Sequence, residues 1–100
     1  MPAAEQDIAG AQDDYEAREP GLGNRFAQHV RSTLTRIGQN PLQYQVVPDS
    51  LGSRRAPVRQ FPFGLWYQML PDESVVIACL AHRQEVSLAR RRAVRPVEPL

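Results

Sequence analysis

A histidine and several arginines stand at the ends of an apolar stretch, residues 59–83, and they are the residues most able to do chemistry. His82 and Arg83 end the stretch, and Arg59 begins it. A histidine can take or donate a proton near neutral pH, and an arginine fork can donate two parallel hydrogen bonds to a phosphate. These three residues are therefore candidate catalytic residues, with Arg55 as a weaker candidate for the phosphate contact. The alternative is that His82 only ends a strand with its ring half buried.

A group of five arginines is a candidate surface for binding a nucleic acid or another target: Arg54, Arg55, Arg90, Arg91 and Arg92. They would contact a phosphate backbone or the acidic residues of a partner. The alternative is a solvated charge run that aids solubility. The net charge is only +1, but residues 1–19 carry six acids and one arginine, whereas residues 20–100 carry eleven arginines and five acids. The first segment is thus acidic and the rest of the chain is basic.

The remaining composition limits the kinds of protein that this chain can be. One cysteine and two distant histidines do not supply a set of metal ligands, so we predict no metal site and no cofactor. Cys79 lies in an apolar run and is expected to be a small core residue. It cannot form an internal disulfide, which agrees with a reducing compartment, and we expect a cytoplasmic protein without a secretory signal. No apolar run is long enough to span a membrane, and 100 residues make one domain.

Two helices are predicted in the first forty residues. Apolar residues of the first helix recur at helical spacing: Ala4, Ile8, Ala11 and Tyr15. Pro20 and Gly21 end this helix, because the proline ring cannot continue it and the glycine permits a turn. The second helix carries an inward stripe of Leu22, Phe26, Val30, Leu34 and Ile37, and Pro41 follows its end. Two amphipathic helices with a short break between them are expected to form an antiparallel hairpin.

Three strands are predicted to follow. Residues 54–61 contain a strand in which Pro57 favours an edge position, and residues 63–70 and 75–81 form two more, joined by a turn at 71–74. Residues 75–80 are apolar at both odd and even positions, which point to opposite faces of a sheet. This strand is therefore expected to be central and covered on both faces. Trp66 and Tyr67 are neighbours and must point to opposite faces. One is expected beneath the helices, and the other either packs in the core or stacks on a base.

The order of elements predicts an α+β fold in which a helical hairpin packs on a three-stranded antiparallel sheet. Residues 85–92 can form two turns of helix, and the prolines beyond them indicate a loose tail. We therefore predict one domain at residues 1–88 and a tail rich in arginine and proline at residues 89–100.

Three local patterns, in this order, resemble the RelE/ParE family of toxins from type II toxin-antitoxin modules. The first is the helix break, matched by Tyr15, Glu16, Pro20, Gly21, Leu22 and Gly23; the second is the strand entry at residues 59–63; the third is the strand ending in His82 and Arg83. The similarity spans residues 2–87 and implies the same α+β fold, four-stranded in the family. It also implies a cognate antitoxin of the ParD or RelB kind as partner.

Two departures from the family pattern affect what the resemblance implies. The family begins with a strand, whereas here Met1 and Pro2 lead directly into the first helix, so either the start lies further upstream or this is a shortened member. A missing strand would leave a neighbouring strand edge prone to pair with another chain. Nuclease members carry a tyrosine a few residues beyond the basic cluster, where this chain has Glu85, Val86 and Ser87.

Three functions therefore remain open. The missing tyrosine favours a ParE-like toxin that inhibits growth by binding a target such as DNA gyrase. The alternative is a RelE-like, ribosome-dependent endoribonuclease of mRNA, in which His82 would transfer protons while Arg59 and Arg83 hold the phosphate. The third is an inactive relative that only binds the antitoxin. In none of these cases do we expect a membrane or a small-molecule substrate as partner.

Overall fold

A computed structural model describes residues 2–82 and 86–93 of the chain. Its elements are, in order, α1 (Pro2–Arg18), α2 (Leu22–Gln39), β1 (Arg54–Pro57), β2 (Phe63–Met69), β3 (Ser74–Ala81) and α3 (Val86–Arg92). The two long helices pack on an antiparallel sheet of order β1-β2-β3, which confirms the predicted α+β fold. The proposed boundary at residue 88 falls inside α3 and stays a prediction. Arg83 and most of the predicted tail, residues 94–100, lie outside the described residues.

The break between α1 and α2 depends on one carboxylate. Glu16 accepts hydrogen bonds from the backbone N–H of Gly21 at 2.9 Å and of Gly23 at 3.0 Å, so it caps the first turn of α2 from the preceding helix. Gly21 adopts a φ of 89°, which favours glycine. A Cβ atom on Gly23 would lie 2.7 Å from the carbonyl oxygen of Gln12. The helix-break pattern in the sequence therefore encodes a cap and a close helix contact.

An aromatic cluster joins the helical hairpin to the sheet. The ring of Tyr15 lies 5.2 Å from Phe26, 4.9 Å from Phe61 and 6.0 Å from Phe63, measured between centroids. Phe26 is fully buried at the centre of this group. Edge-to-face packing of such rings adds to the free energy gained by burying them. The β1–β2 loop and the start of β2 are therefore held against both helices by the rings of Phe61 and Phe63.

The inward stripe of α2 differs from the prediction at one position. Leu34 was expected inside but is 37% exposed, whereas Thr33 is fully buried. Steps of four residues overshoot a helical turn by about 40° each, so a stripe built on steps of four drifts out of the core. The buried Thr33 hydroxyl donates to the carbonyl of His29 at 2.8 Å, which satisfies its hydrogen bond.

The position of β3 in the sheet was predicted wrongly. Within the described residues β2 is the central strand, and β3 lies at an edge. The register shifts between Trp66 and Tyr67, which pair with Ala78 and Val76, so Ile77 is an extra residue in β3. Because of this bulge, odd-numbered residues of β3 face the helical hairpin after Ile77, whereas even-numbered residues face it before Ile77. The apolar run on both parities therefore arises from the bulge and from two covered faces, not from a central position.

Each face of the sheet has its own apolar cluster. On one face Leu65, Tyr67 and Cys79 pack with the helical hairpin. On the other face Trp66, Ala78 and Leu80 pack with Ala89 of α3. Layers on both sides of the sheet were predicted, and the structure confirms them.

The two neighbouring aromatic residues of β2 both belong to the core. The hydroxyl of Tyr67 donates to the carbonyl of Pro41 at 2.5 Å, while the ring lies beneath the helices. Trp66 is only 4% exposed on the opposite face. Neither ring is open to a nucleic-acid base. Among the described helices, none has the length and apolar character needed to cross a membrane.

Candidate functional site

His82 stands at the end of β3, next to the loop that joins β1 to β2. Its side chain is exposed, and its backbone N–H donates to the carbonyl of Pro62 at 3.0 Å. The loop is closed at its base by the hydrogen bond from Val58 N–H to the Phe63 carbonyl at 2.9 Å. Arg59 lies in the turn of this loop with an exposed side chain. The fold thus brings the loop that carries Arg59 to the strand end that carries His82.

Arg55 reaches His82 across the middle strand of the sheet. Arg55 pairs with Trp66 in the β1–β2 register, so its side chain lies on the same face of the sheet as Trp66 and α3. A Cβ atom on Gly64 would lie 2.4 Å from Nε of Arg55, which means that the guanidinium occupies the space above this glycine. Its Nη2 atom contacts Nδ1 of His82. We call Arg55, Gly64 and His82 the Arg–His site.

The contact between Arg55 and His82 is compatible with one tautomer of the neutral imidazole ring. A guanidinium has donors only, so Nδ1 of His82 must be the acceptor and carries no proton in this arrangement. The proton of the neutral ring is therefore on Nε2. The lone pair of Nδ1 is taken up by Arg55, which leaves Nε2–H as a donor. This arrangement can bind an acceptor such as a phosphate or a carboxylate.

The other candidate arginines differ in burial and in the partners that they contact. Arg54 is half-buried, and its Nη1 donates to the carbonyl of Tyr44 at 2.6 Å. Arg92 forms an ion pair with Asp7 of α1. Arg90 and Arg91 are exposed on α3. The predicted binding group thus divides into residues that support the fold and residues that face solvent, and its role in binding stays a prediction.

Arg59 and Arg83 were the arginines predicted to act with His82, and the contact that the structure describes is the one between Arg55 and His82. Arg55 was the weaker candidate, yet it is the arginine that contacts His82. Arg83, ranked higher, lies outside the described residues. Gly64 was not singled out, although a glycine inside a strand often marks a place where another group approaches closely. That glycine, opposite a strand with two arginines, was the signal that could have identified the pair.

The described residues provide neither a reactive thiolate nor a cluster of metal ligands. Burial raises the pKa of the Cys79 thiol to about 12, with the Asp7 carboxylate as the smaller cause, so Cys79 is not a reactive thiolate. Residues 2–82 and 86–93 contain no cluster of three or more histidine, cysteine or acidic side chains that could hold a metal ion.

Comparison with known proteins assigns the chain to a family. Searches of curated proteins and of solved structures found no match. A family model described as the ParE toxin of the type II toxin-antitoxin system, parDE, matches residues 1–87. The match covers both helices of the hairpin and all three strands, including every residue of the Arg–His site. The chain therefore belongs to the ParE family of toxins from type II toxin-antitoxin systems.

Proposed function

We propose that this toxin inhibits growth by binding a target such as DNA gyrase, and that a cognate antitoxin neutralises it. The family assigns the coarser role of a toxin with an antitoxin partner. The observation that carries the finer proposal is the contact between Arg55 and His82, because it occupies the imidazole nitrogen that a general base would need. The Arg–His site therefore acts as a binding surface rather than as a proton acceptor.

The charge of the site supports a target with acceptor groups. Arg55 stays charged at any physiological pH, and the exposed Arg59 adds a second cation on the adjoining loop. Two cations near an outward donor on His82 favour carboxylates or phosphates of a partner. Because Trp66 and Tyr67 are buried, base stacking by these rings does not contribute to the binding.

A nuclease remains the second candidate, and one observation favours it. Arg55 and His82 are adjacent, and cleavage of RNA needs both a charge-stabilising group and a proton carrier. In such a reaction His82 would first have to leave Arg55 and take up a proton on Nδ1, because only the imidazolium can give its Nε2 proton to the leaving oxygen; another group would have to act as base. At the position where nuclease members carry a tyrosine, this chain has Glu85, Val86 and Ser87, which leaves that second role unassigned.

Expression without the antitoxin tests whether the Arg–His site is the working surface. We expect the wild type to arrest growth, and we expect Arg55→Ala and His82→Ala to relieve the arrest. Arg31→Ala is the matched control, since Arg31 is an exposed arginine on α2, away from the site. Full arrest by both site variants would contradict a role of this surface, and normal growth with the wild type would favour the inactive relative.

Two assays on the same strains separate binding from cleavage. Inhibition of purified gyrase supercoiling by the wild type, with intact transcripts in induced cells, is the result that we expect. Codon-specific cleavage of transcripts that disappears in His82→Ala would contradict the binding proposal and favour the nuclease. Neutralisation is tested by co-expressing the product of the adjacent reading frame, which should co-purify with the toxin and restore growth.

A further inference from the structure

The tip of the β1–β2 loop carries a residue in a backbone conformation that it does not favour. Gln60 has a φ of 67°, in the left-handed region that is costly for a residue with a side chain. It is the third residue of the turn in which the N–H of Phe61 donates to the carbonyl of Val58 at 3.4 Å. Glycine or asparagine is the usual residue where a turn needs a positive φ at this position. The chain therefore has a glutamine where a glycine would fit with less strain.

Contacts of the next two residues impose this conformation. The ring of Phe61 lies 5.1 Å from that of Phe26, between centroids, on the helical side of the sheet. The carbonyl of Pro62 accepts from the N–H of His82 at 3.0 Å. These two contacts fix the direction of the chain after Gln60, so the turn has to reverse at that residue. Strain at one residue persists when the surrounding structure determines its position in this way.

The side chain of Gln60 does not offset this strain within the protein. It is exposed, and among residues 2–82 and 86–93 it forms no hydrogen bond. The other described non-glycine residues with a positive φ are Asp49 and Leu51. An aspartate tolerates this conformation by bonding to its own backbone, whereas Leu51 is partly buried and its carbonyl accepts from the amide of Gln68 at 3.1 Å. The fold thus accounts for those two residues but not for a glutamine at position 60.

Gln60 stands next to the Arg–His site and differs from it in chemistry. It follows the exposed Arg59 and lies two residues before Pro62, whose carbonyl bonds to His82. The guanidinium groups of Arg55 and Arg59 have donors only, whereas the amide of a glutamine has both donors and an acceptor. A main-chain peptide group of a partner presents one donor and one acceptor, so it can form two hydrogen bonds with this amide. Gln60 therefore adds an acceptor to a surface of cations.

We propose that Gln60 is a specificity-determining contact residue, whose amide pairs with a main-chain peptide group of a protein target while the Arg–His site holds a carboxylate of that target. The proposal rests on the binding function proposed above for the Arg–His site. Strained backbone conformations cluster where they place a side chain for function. Relief of such strain stabilises a protein and lowers its activity. Gln60→Gly should therefore leave the fold at least as stable and weaken the growth arrest.

Three variants of the full-length protein test this role in cells without the antitoxin. Gln60→Gly removes both the side chain and the strain, while Gln60→Met keeps the length and the strain and removes only the amide. Asp49→Gly is the matched control, because Asp49 is exposed, has a φ of 61° and lies before the start of β1, whereas Gln60 lies after its end. A titratable promoter and an immunoblot give the amount of toxin that halves the growth rate. Urea denaturation of the purified proteins gives their unfolding midpoints.

We expect Gln60→Gly and Gln60→Met to need about three- to tenfold more toxin for the same arrest, the range of one hydrogen bond. The urea midpoint of Gln60→Gly should be no lower than that of the wild type, and Asp49→Gly should arrest growth at the wild-type amount.

Arrest at the wild-type amount by either Gln60 variant would overturn the proposal. So would a lower urea midpoint of Gln60→Gly, which would mean that the residue supports the fold, or an equal loss of arrest in Asp49→Gly. If Arg55→Ala relieves the arrest in the same strains, the Arg–His site stands and only the role of Gln60 falls. Full arrest by Arg55→Ala overturns both proposals.

Discussion

The two faces of the sheet are covered in different ways. One face carries α1 and α2, of 17 and 18 residues, with the aromatic cluster around Phe26 between them and the strands. Among the described residues, the other face is covered by the short helix α3, in which Ala89 is buried, and by partly buried residues such as Val47 and Leu88. The Arg–His site lies on this second face at the border of the apolar cluster, since Arg55 pairs with Trp66 and Gly64 pairs with Leu80. The difference separates a face that holds the fold together from a face that leaves charged groups open to a partner.

A physical reason underlies this separation. Rings such as those of Tyr15 and Phe26 contribute free energy only when they are removed from water, so the rings buried on this face are not available to a partner. A short helix is marginal by itself and depends on its tertiary contacts. The α3 face therefore leaves one end of the sheet to Arg55, whose side chain covers Gly64 in place of an apolar residue.

The largest loss of stability is expected from Phe26→Ala, on the face of the sheet that carries α1 and α2. Phe26 is completely buried and contacts the rings of Tyr15, Phe61 and Phe63. We expect the free energy of unfolding to fall by about 3–5 kcal/mol, measured by urea denaturation followed by circular dichroism. Leu34→Ala on the same helix is the control and should cost much less, because Leu34 is 37% exposed. Equal losses would mean that the aromatic cluster is not the centre of the core.

A smaller effect is expected at the close contact between the two helices. Gly23→Ala places a methyl group 2.7 Å from the Gln12 carbonyl oxygen and 2.9 Å from Glu16, so the helices must move apart. The free energy of unfolding should fall by about 1–3 kcal/mol, as in other overpacked sites. Gly38→Ala in the same helix has open space at the Cβ position and should be neutral or stabilising. A stable Gly23→Ala protein would show that the glycine is not needed for packing.

The stability of the hairpin face should also fall at alkaline pH because of Cys79. The pKa of the Cys79 thiol is 9.0 in the unfolded chain and about 12 in the folded protein. Between these pH values the unfolded chain has lost a proton that the folded protein keeps. Stability is therefore complete below pH 9 and is lost as the pH rises, by at most about 1.4 kcal/mol per pH unit. Burial also raises the pKa of Tyr67, which acts in the same direction. Urea denaturation of Cys79→Ala should show a shallower decline, and an identical decline would refute the assignment.

The smallest effect is expected on the α3 face, from Arg92→Gln. The substitution removes the ion pair with Asp7, which is partly exposed, so the free energy of unfolding should fall by less than about 1 kcal/mol. Trp66, the only tryptophan, is buried in the cluster that contains Ala89 and reports on α3 through its fluorescence. We expect its emission to shift to longer wavelength and acrylamide to quench it more. Arg90→Gln, on an exposed arginine, should leave the emission unchanged; a shift as large as that of Arg92→Gln would contradict the role of the ion pair.

Much of the fold could be predicted because it depends on short-range patterns. Helical spacing, the proline and glycine at 20–21 and the turn at 71–74 act over a few residues, and the structure confirms the helices and strands that they predicted. Leu34 was wrongly placed because steps of four residues drift around a helix, and only the packing shows where the drift leaves the core. The strand at residues 75–81 was correct as a strand but wrong as a central one.

The sequence by itself thus determined the elements, the helix break and the residue types available for chemistry. Only the tertiary structure decided the strand order, the bulge at Ile77 and the contact between Arg55 and His82, which are 27 residues apart in the chain. The reason is that pairing register and side-chain neighbours depend on long-range contacts, which leave no local period in the sequence. The same holds for Asp7, which reads as one more acid on a helix until the fold places it at the edge of β3.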